Sequence, residues 1–199
     1  IQFGPNSVGF DYFFGIPGSL DMPPYLYVEN QFPHGIPTEI TNEGGRKGLT
    51  VPGFKAKDVM PDFTDKAVEF IQQQKTSKPF FLYFPWAAPH TPVVPNDEFI
   101  GKSKAGNYGD FVVECDATVQ RIVKALKEKG LYENTIIILT SDNGCSPHGF
   151  PIQQELHLVY LRFPFGGRLR PLPGLRHFSL LQFQYQKANL LHPYRQING

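Results

Sequence analysis

Three residues stand out for the chemistry they could do together: His90, Asp142 and Asn143. Asp142 and Asn143 offer side-chain oxygens to a hard cation such as Ca²⁺ or Mg²⁺. Asp-Asn-Gly is more often simply an Asx turn. Two such residues also fall well short of the roughly 6–8 oxygens that Ca²⁺ takes, so a metal here needs ligands from elsewhere. His90 sits in Pro89-His90-Thr91-Pro92, where the flanking prolines stiffen the backbone. Its imidazole could meet an anionic substrate, or it could be a loop histidine bonded to the backbone. The two cysteines are weaker candidates. Cys115 falls on the apolar face of a helix and reads as a small core residue, and Cys145 reads as a loop residue after the Asp-Asn-Gly turn.

The elements that must position these residues are legible. Pro79–Trp86 (PFFLYFPW) is a continuous apolar run, which predicts a strand buried on both faces. Thr135–Thr140 (TIIILT) is a second, β-branched run. Between them, Tyr108, Phe111, Val112, Cys115, Val119, Ile122 and Leu126 recur at helical spacing. Lys124, Lys127 and Lys129 suit the negative end of that helix's dipole, and Gly130 suits its C′ position. Strand, helix, strand predicts a βαβ unit in a parallel sheet. Ligands bind beyond the carboxyl ends of such strands. His90 follows one end and Asp142-Asn143 the other, so the spacing predicts that they converge. Upstream, Phe63, Ala67, Phe70 and Ile71 predict another helix over about residues 62–74. Residues 1–61 read as loop-rich. Met22-Pro23-Pro24 excludes a helix there, and Thr41–Gly48 reads as an exposed turn.

Composition narrows the classes. Of 199 residues, 41% are hydrophobic and 19% charged, which is globular rather than disordered. Glycine and proline number 19 each and predict long structured loops. The net charge of +1 gives no argument for a nucleic-acid partner. No apolar run reaches membrane-spanning length, so no membrane partner is expected. No secretory leader is visible, and two cysteines cannot form a disulfide framework. The average charge hides a split. Residues 147–199 hold six bases and one acid, Glu155, for +5, so the preceding segment carries −4. That tail has no long helical or strand period.

The chain resembles the sulfatase family, in its arylsulfatase-A-like branch, over roughly residues 4–147. The resemblance rests on Gly9–Gly15 (GFDYFFG), Ser19–Asn30 (SLDMPPYLYVEN), Pro79–Pro92 (PFFLYFPWAAPHTP) and Thr140–Pro147 (TSDNGCSP), in that order. It implies an alkaline-phosphatase-like α/β sandwich with a mainly parallel central sheet, present only in part. It implies hydrolysis of sulfate esters, with aryl sulfates, sulfated sugars and sulfated polysaccharides all open. By position, Asp142 and Asn143 would be Ca²⁺ ligands and His90 would contact the substrate sulfate. Relatives are often periplasmic, secreted or lysosomal.

The departures matter equally. The family nucleophile is a formylglycine made from the cysteine of Cys-x-Pro-x-Arg, and no such motif occurs here. Cys145-Ser146-Pro147-His148-Gly149 matches three positions, lacks the arginine and follows the wrong strand. The family's first-strand Asp-Asp pair is absent too. The chain therefore reads as a partial catalytic domain (residues 1–147) that opens after its own nucleophile segment. By itself it is expected to be inactive. Residues 148–199 read as an anomalous basic tail, poorly ordered and consistent with a shifted reading frame, which the nucleotide sequence would test. Two other readings stand beside this one: a phosphatase or phosphodiesterase relative of the same superfamily, and a non-catalytic truncated remnant.

Overall fold

The computed structural model describes residues 3–141 and the backbone of residues 160–162 and 177–183. Asp142, Asn143 and Cys145 lie outside the described residues, as does most of the expected tail.

The first third of the chain is short extended pieces, not bare loop. Strands β1 (Phe14–Gly15), β2 (Val28–Glu29) and β3 (Phe32–Pro33) form a small antiparallel sheet. Strands β4 (Glu39–Thr41) and β5 (Gly48–Thr50) form a hairpin. The turn expected between Thr41 and Gly48 closes that hairpin, but it is not wholly exposed, because Gly44 is buried. Leu20, Tyr25 and Val28 enter the core from the intervening segment.

Helix α1 (Val59–Gln73) begins three residues earlier than the periodicity predicts. Pro61 falls in its first turn, where a missing N–H costs nothing. It buries Val59, Met60, Phe63, Thr64, Ala67 and Ile71, with Ile71 completely enclosed. Each of the larger side chains contributes roughly 1.5–3 kcal/mol by leaving water. Helix α2 (Gly106–Glu128) buries Tyr108, Phe111, Cys115, Ile122 and Leu126, as its spacing predicts. It stops at Gly130, whose φ of +68° is a left-handed C′ geometry that glycine adopts freely. The amides of Gly130 and Leu131 close the last turn on Lys127 O and Leu126 O. The two helices pack on each other, and the Thr64 and Thr118 hydroxyls meet at 3.1 Å between them.

Strand β6 (Phe80–Trp86) and strand β7 (Thr135–Ser141) are the two apolar runs. They are parallel and in one sheet, as expected of a βαβ unit, yet they are not neighbours. The sheet order is β6-β9-β7-β8, where β8 is Tyr160–Arg162 and β9 is His177–Phe183. β9 runs parallel to both β6 and β7, and β8 pairs antiparallel with β7. The expectation of a strand buried on both faces does not hold for β6. Phe84 and Trp86 are buried, while Phe81 and Tyr83 are 48% and 41% exposed. The cause is that the core lies on one face of β6, where Phe70 of α1 meets Phe80 edge-on at 5.5 Å.

Candidate functional site

The register of the central sheet sets the geometry of the site. Trp86, the last residue of β6, and Ser141, the last of β7, both pair with Phe183 of β9. The two strand ends are thus level and two strand spacings apart, about 10 Å. The His90 loop leaves the first of these ends.

The His90 loop leaves β6 through buried Ala87, Ala88 and Pro89, and His90 emerges half-buried. Ala88-Pro89 and Thr91-Pro92 are both cis. His90 Nδ1 lies 2.6 Å from the Thr91 carbonyl oxygen. A carbonyl can only accept, so Nδ1 carries the hydrogen. Ser19 Oγ lies 3.3 Å from the same nitrogen as a weaker second partner. The backbone-bonded reading of this histidine is thus present, and that bond fixes which nitrogen is committed. Ring orientation set in this way is how a histidine is held for use.

The far end of the loop is anchored by a carboxylate that the sequence reading passed over. Asn96 donates its backbone N–H and its side-chain amide to the two oxygens of Glu114, each at 2.9 Å. Asn96 also donates to Lys57 O at 2.8 Å. Glu114 is 3% exposed and burial pushes its carboxyl up, although the two Asn96 bonds pull the other way. Its signal was there in the sequence: an acid beside Cys115 on the buried face of α2. Asp110, one turn earlier, accepts from Gly101 N at 2.8 Å and Ser103 N at 2.7 Å. These backbone bonds pull its carboxyl below the usual range. Ser19 had no comparable signal, being 71 residues from His90 in the chain.

Ser19 opens a tight turn that closes with Met22 N on Ser19 O at 2.9 Å. The β4–β5 hairpin clamps this turn. Tyr25 Oη donates to Arg46 O at 2.6 Å, and the Arg46 guanidinium pairs with Asp21 at 2.9 Å. Gly44 lies against the Leu20 carbonyl and the Tyr25 ring, where any Cβ would collide.

Cys115 is 1% exposed, and burial pushes its thiol well up, as suits a core residue and not a nucleophile. Among the described residues no three His, Cys, Asp or Glu side chains gather in a way that could hold a metal ion. The described residues do not make a Ca²⁺ site by themselves.

The sequence model of the sulfatase family matches residues 2–186. The chain belongs to the sulfatase family. This sulfatase chain is 32% identical over 185 residues to an N-acetylgalactosamine-6-O-sulfatase of Bacteroides thetaiotaomicron, covering 70% of the chain and 35% of that protein. It is 35% identical over 159 residues to an N-acetylgalactosamine-6-sulfatase of Sus scrofa, covering 76% and 29%. An arylsulfatase of Hemicentrotus pulcherrimus is 41% identical over 95 residues, covering 48% and 17%. A solved sulfatase structure, from work on the metabolism of multiple glycosaminoglycans by Bacteroides thetaiotaomicron, superposes with a TM-score of 0.60 at 30% identity, covering 71% of this chain and 37% of that one. The fold is accordingly the alkaline-phosphatase-like α/β fold, in part. The chain spans about a third of the length of the curated relatives it matches.

Proposed function

We propose that these residues form the sulfate-recognising portion of a sulfuric ester hydrolase acting on 6-sulfated N-acetylgalactosamine in carbohydrate. The observation that supports the reading is the level pairing of Trp86 and Ser141 with Phe183: the His90 loop follows the first of these strand ends in sequence, and Asp142 follows the second. The substrate class follows the names of the relatives that cover most of the chain, since the arylsulfatase likeness covers under half of it.

His90 contributes through Nε2. Its Nδ1 hydrogen is committed to the Thr91 carbonyl. A neutral imidazole would then present only a lone pair at Nε2, which repels a sulfate oxygen. Contact with sulfate requires the imidazolium, whose Nε2–H donates to the anion. Asp142 and Asn143 are the proposed cation ligands, and a bound Ca²⁺ would neutralise sulfate oxygens. The covalent nucleophile, formylglycine in this family, has no source motif in these 199 residues. The chain on its own is therefore expected to bind sulfate without turning over its ester.

Two readouts on the purified chain test this. Following backbone amide shifts by NMR while titrating sodium sulfate should show saturable binding around His90 that is lost in His90→Gln. A chromogenic aryl sulfate and N-acetylgalactosamine 6-sulfate should both remain unhydrolysed against a buffer blank. Binding that persists in His90→Gln would overturn the assignment of this residue, and turnover would overturn the account of the nucleophile.

A further inference from the structure

The loop that carries His90, residues 87–95, lies outside any helix or strand. Three of its nine residues, Pro89, Pro92 and Pro95, have no N–H to donate. Val93 and Val94 pack against the core, but apolar contact is non-directional and does not fix orientation. The ends of the loop must do that. One end is Trp86, buried and paired into the sheet. The other is Asn96. It is the N-cap residue of the single turn Asp97–Phe99, yet its side chain makes no capping bond there. The side-chain amide donates instead to one oxygen of Glu114 and to Lys57 O, and the backbone N–H donates to the other oxygen of Glu114. Asn96 thus ties the loop to α2 and to the residues that lead into α1.

Glu114 is an expensive partner. It lies on the buried face of α2 that also carries Phe111 and Cys115, where a carboxylate costs free energy to keep. A neutral isostere would not replace it. The two Asn96 donors meet different oxygens, and glutamine would turn an NH2 group toward one of them. A carboxylate that takes two donors of one residue fixes orientation as well as distance.

Resting on the function proposed above, we infer that Glu114 is a positioning residue for His90: by gripping Asn96 through both of its oxygens it fixes the far end of the loop, and so the place from which the imidazole meets a sulfate. Glu114 itself touches no substrate. Without its grip the loop samples other positions. The competent one is then populated for only a fraction of the time, and apparent affinity falls by that fraction.

The test is an NMR titration of the full chain with sodium sulfate, run well below the melting temperature of each variant. Glu114→Gln and Asn96→Ala should each weaken sulfate about tenfold. The double variant should be no weaker than the weaker single, because both changes release one grip. Thr118→Val, one turn further along α2, breaks the buried contact with Thr64 and controls for lost stability alone. Its sulfate affinity should match wild type. If folded Glu114→Gln binds sulfate as wild type does, if the two single losses add, or if Thr118→Val loses as much, the inference is overturned while the His90 reading stands. Should Glu114→Gln fail to fold, Asn96→Ala at its half-buried position decides alone, and unchanged affinity there overturns the inference. If wild type binds no sulfate, or binds it no better than His90→Gln does, the His90 reading fails and takes this one with it.

Discussion

At the scale of single residues, the His90 loop is held by carboxylates whose environments push them in opposite directions. Glu114 accepts both donors of Asn96 in a buried position, and burial raises its pKa. A raised native pKa means that the folded state holds its proton longer than the unfolded chain does. Its stabilising contribution is therefore complete below the ordinary glutamate range, about pH 4, and is lost as pH rises through and above it. Asp110 is the reverse case. Backbone donors lower its pKa, so its contribution is present at neutral pH and lost as pH falls below the ordinary range. A comparison of wild type with Glu114→Gln isolates the first effect. Denaturant midpoints should show the wild-type advantage shrinking as pH rises from about 4 toward neutrality. Truncation to alanine, which leaves two donors of Asn96 unmet, should cost about 2 kcal/mol. A wild-type advantage that grew with pH would mean that hydrogen bonding outweighs burial at this site. The loop that carries His90 was legible from its flanking prolines, and the histidine's role stays a proposal. Ser19 was not, because a contact across 71 residues leaves no trace in local spacing. Asp142 and Asn143 stay proposals from the sequence.

At the scale of elements, legibility followed periodicity. Helix α2 and strands β6 and β7 came out close to their predicted bounds, since seven apolar positions at helical spacing and two β-branched or aromatic runs admit few alternatives. The early hairpins were missed as elements. Their strands are two or three residues long and hold their place by contacts with the core, not by a pattern of their own. The β4–β5 hairpin shows what such contacts do. Gly44 lets its tip sit directly on the Leu20 carbonyl and 2.6 Å, measured from the site of a would-be Cβ, from the Tyr25 ring. Gly44→Ala should therefore lift the tip and break the Arg46–Asp21 pair and the Tyr25–Arg46 bond together. Overpacking of this kind costs about 1–3 kcal/mol. The expected readout is a drop in thermal midpoint with NMR shifts at Ser19 and His90, which never touch residue 44. Shifts confined to the hairpin would show that the turn holds its position unaided.

At the scale of the whole molecule, the central question is the strand between β6 and β7. The charge split near residue 147 marks a change of composition, yet the sheet crosses it, and the family match continues to residue 186. His177–Phe183 pairs residue for residue with all seven positions of β6 and all seven of β7. No long period announces it, because a seven-residue strand paired on both sides needs only an apolar run, and the tail is rich in leucine and phenylalanine throughout. Without β9, β6 and β7 stand about 10 Å apart, twice the distance at which strands hydrogen-bond. The level ends of β6 and β7 then lose their common reference, Phe183. A proline at the middle of β9 tests this dependence with one substitution. Leu180 pairs with Tyr83 on one side and Ile138 on the other. Leu180→Pro removes a donor from a strand bonded on both edges and should cost about 3 kcal/mol or more. For a chain of this size, that is a fall of roughly 6–12 °C in thermal midpoint. Loss of sulfate-dependent shifts at His90 should accompany it, since the site depends on the register that β9 imposes. A variant that melts with wild type and still binds sulfate would show that β6 and β7 are held level by something other than residues 177–183.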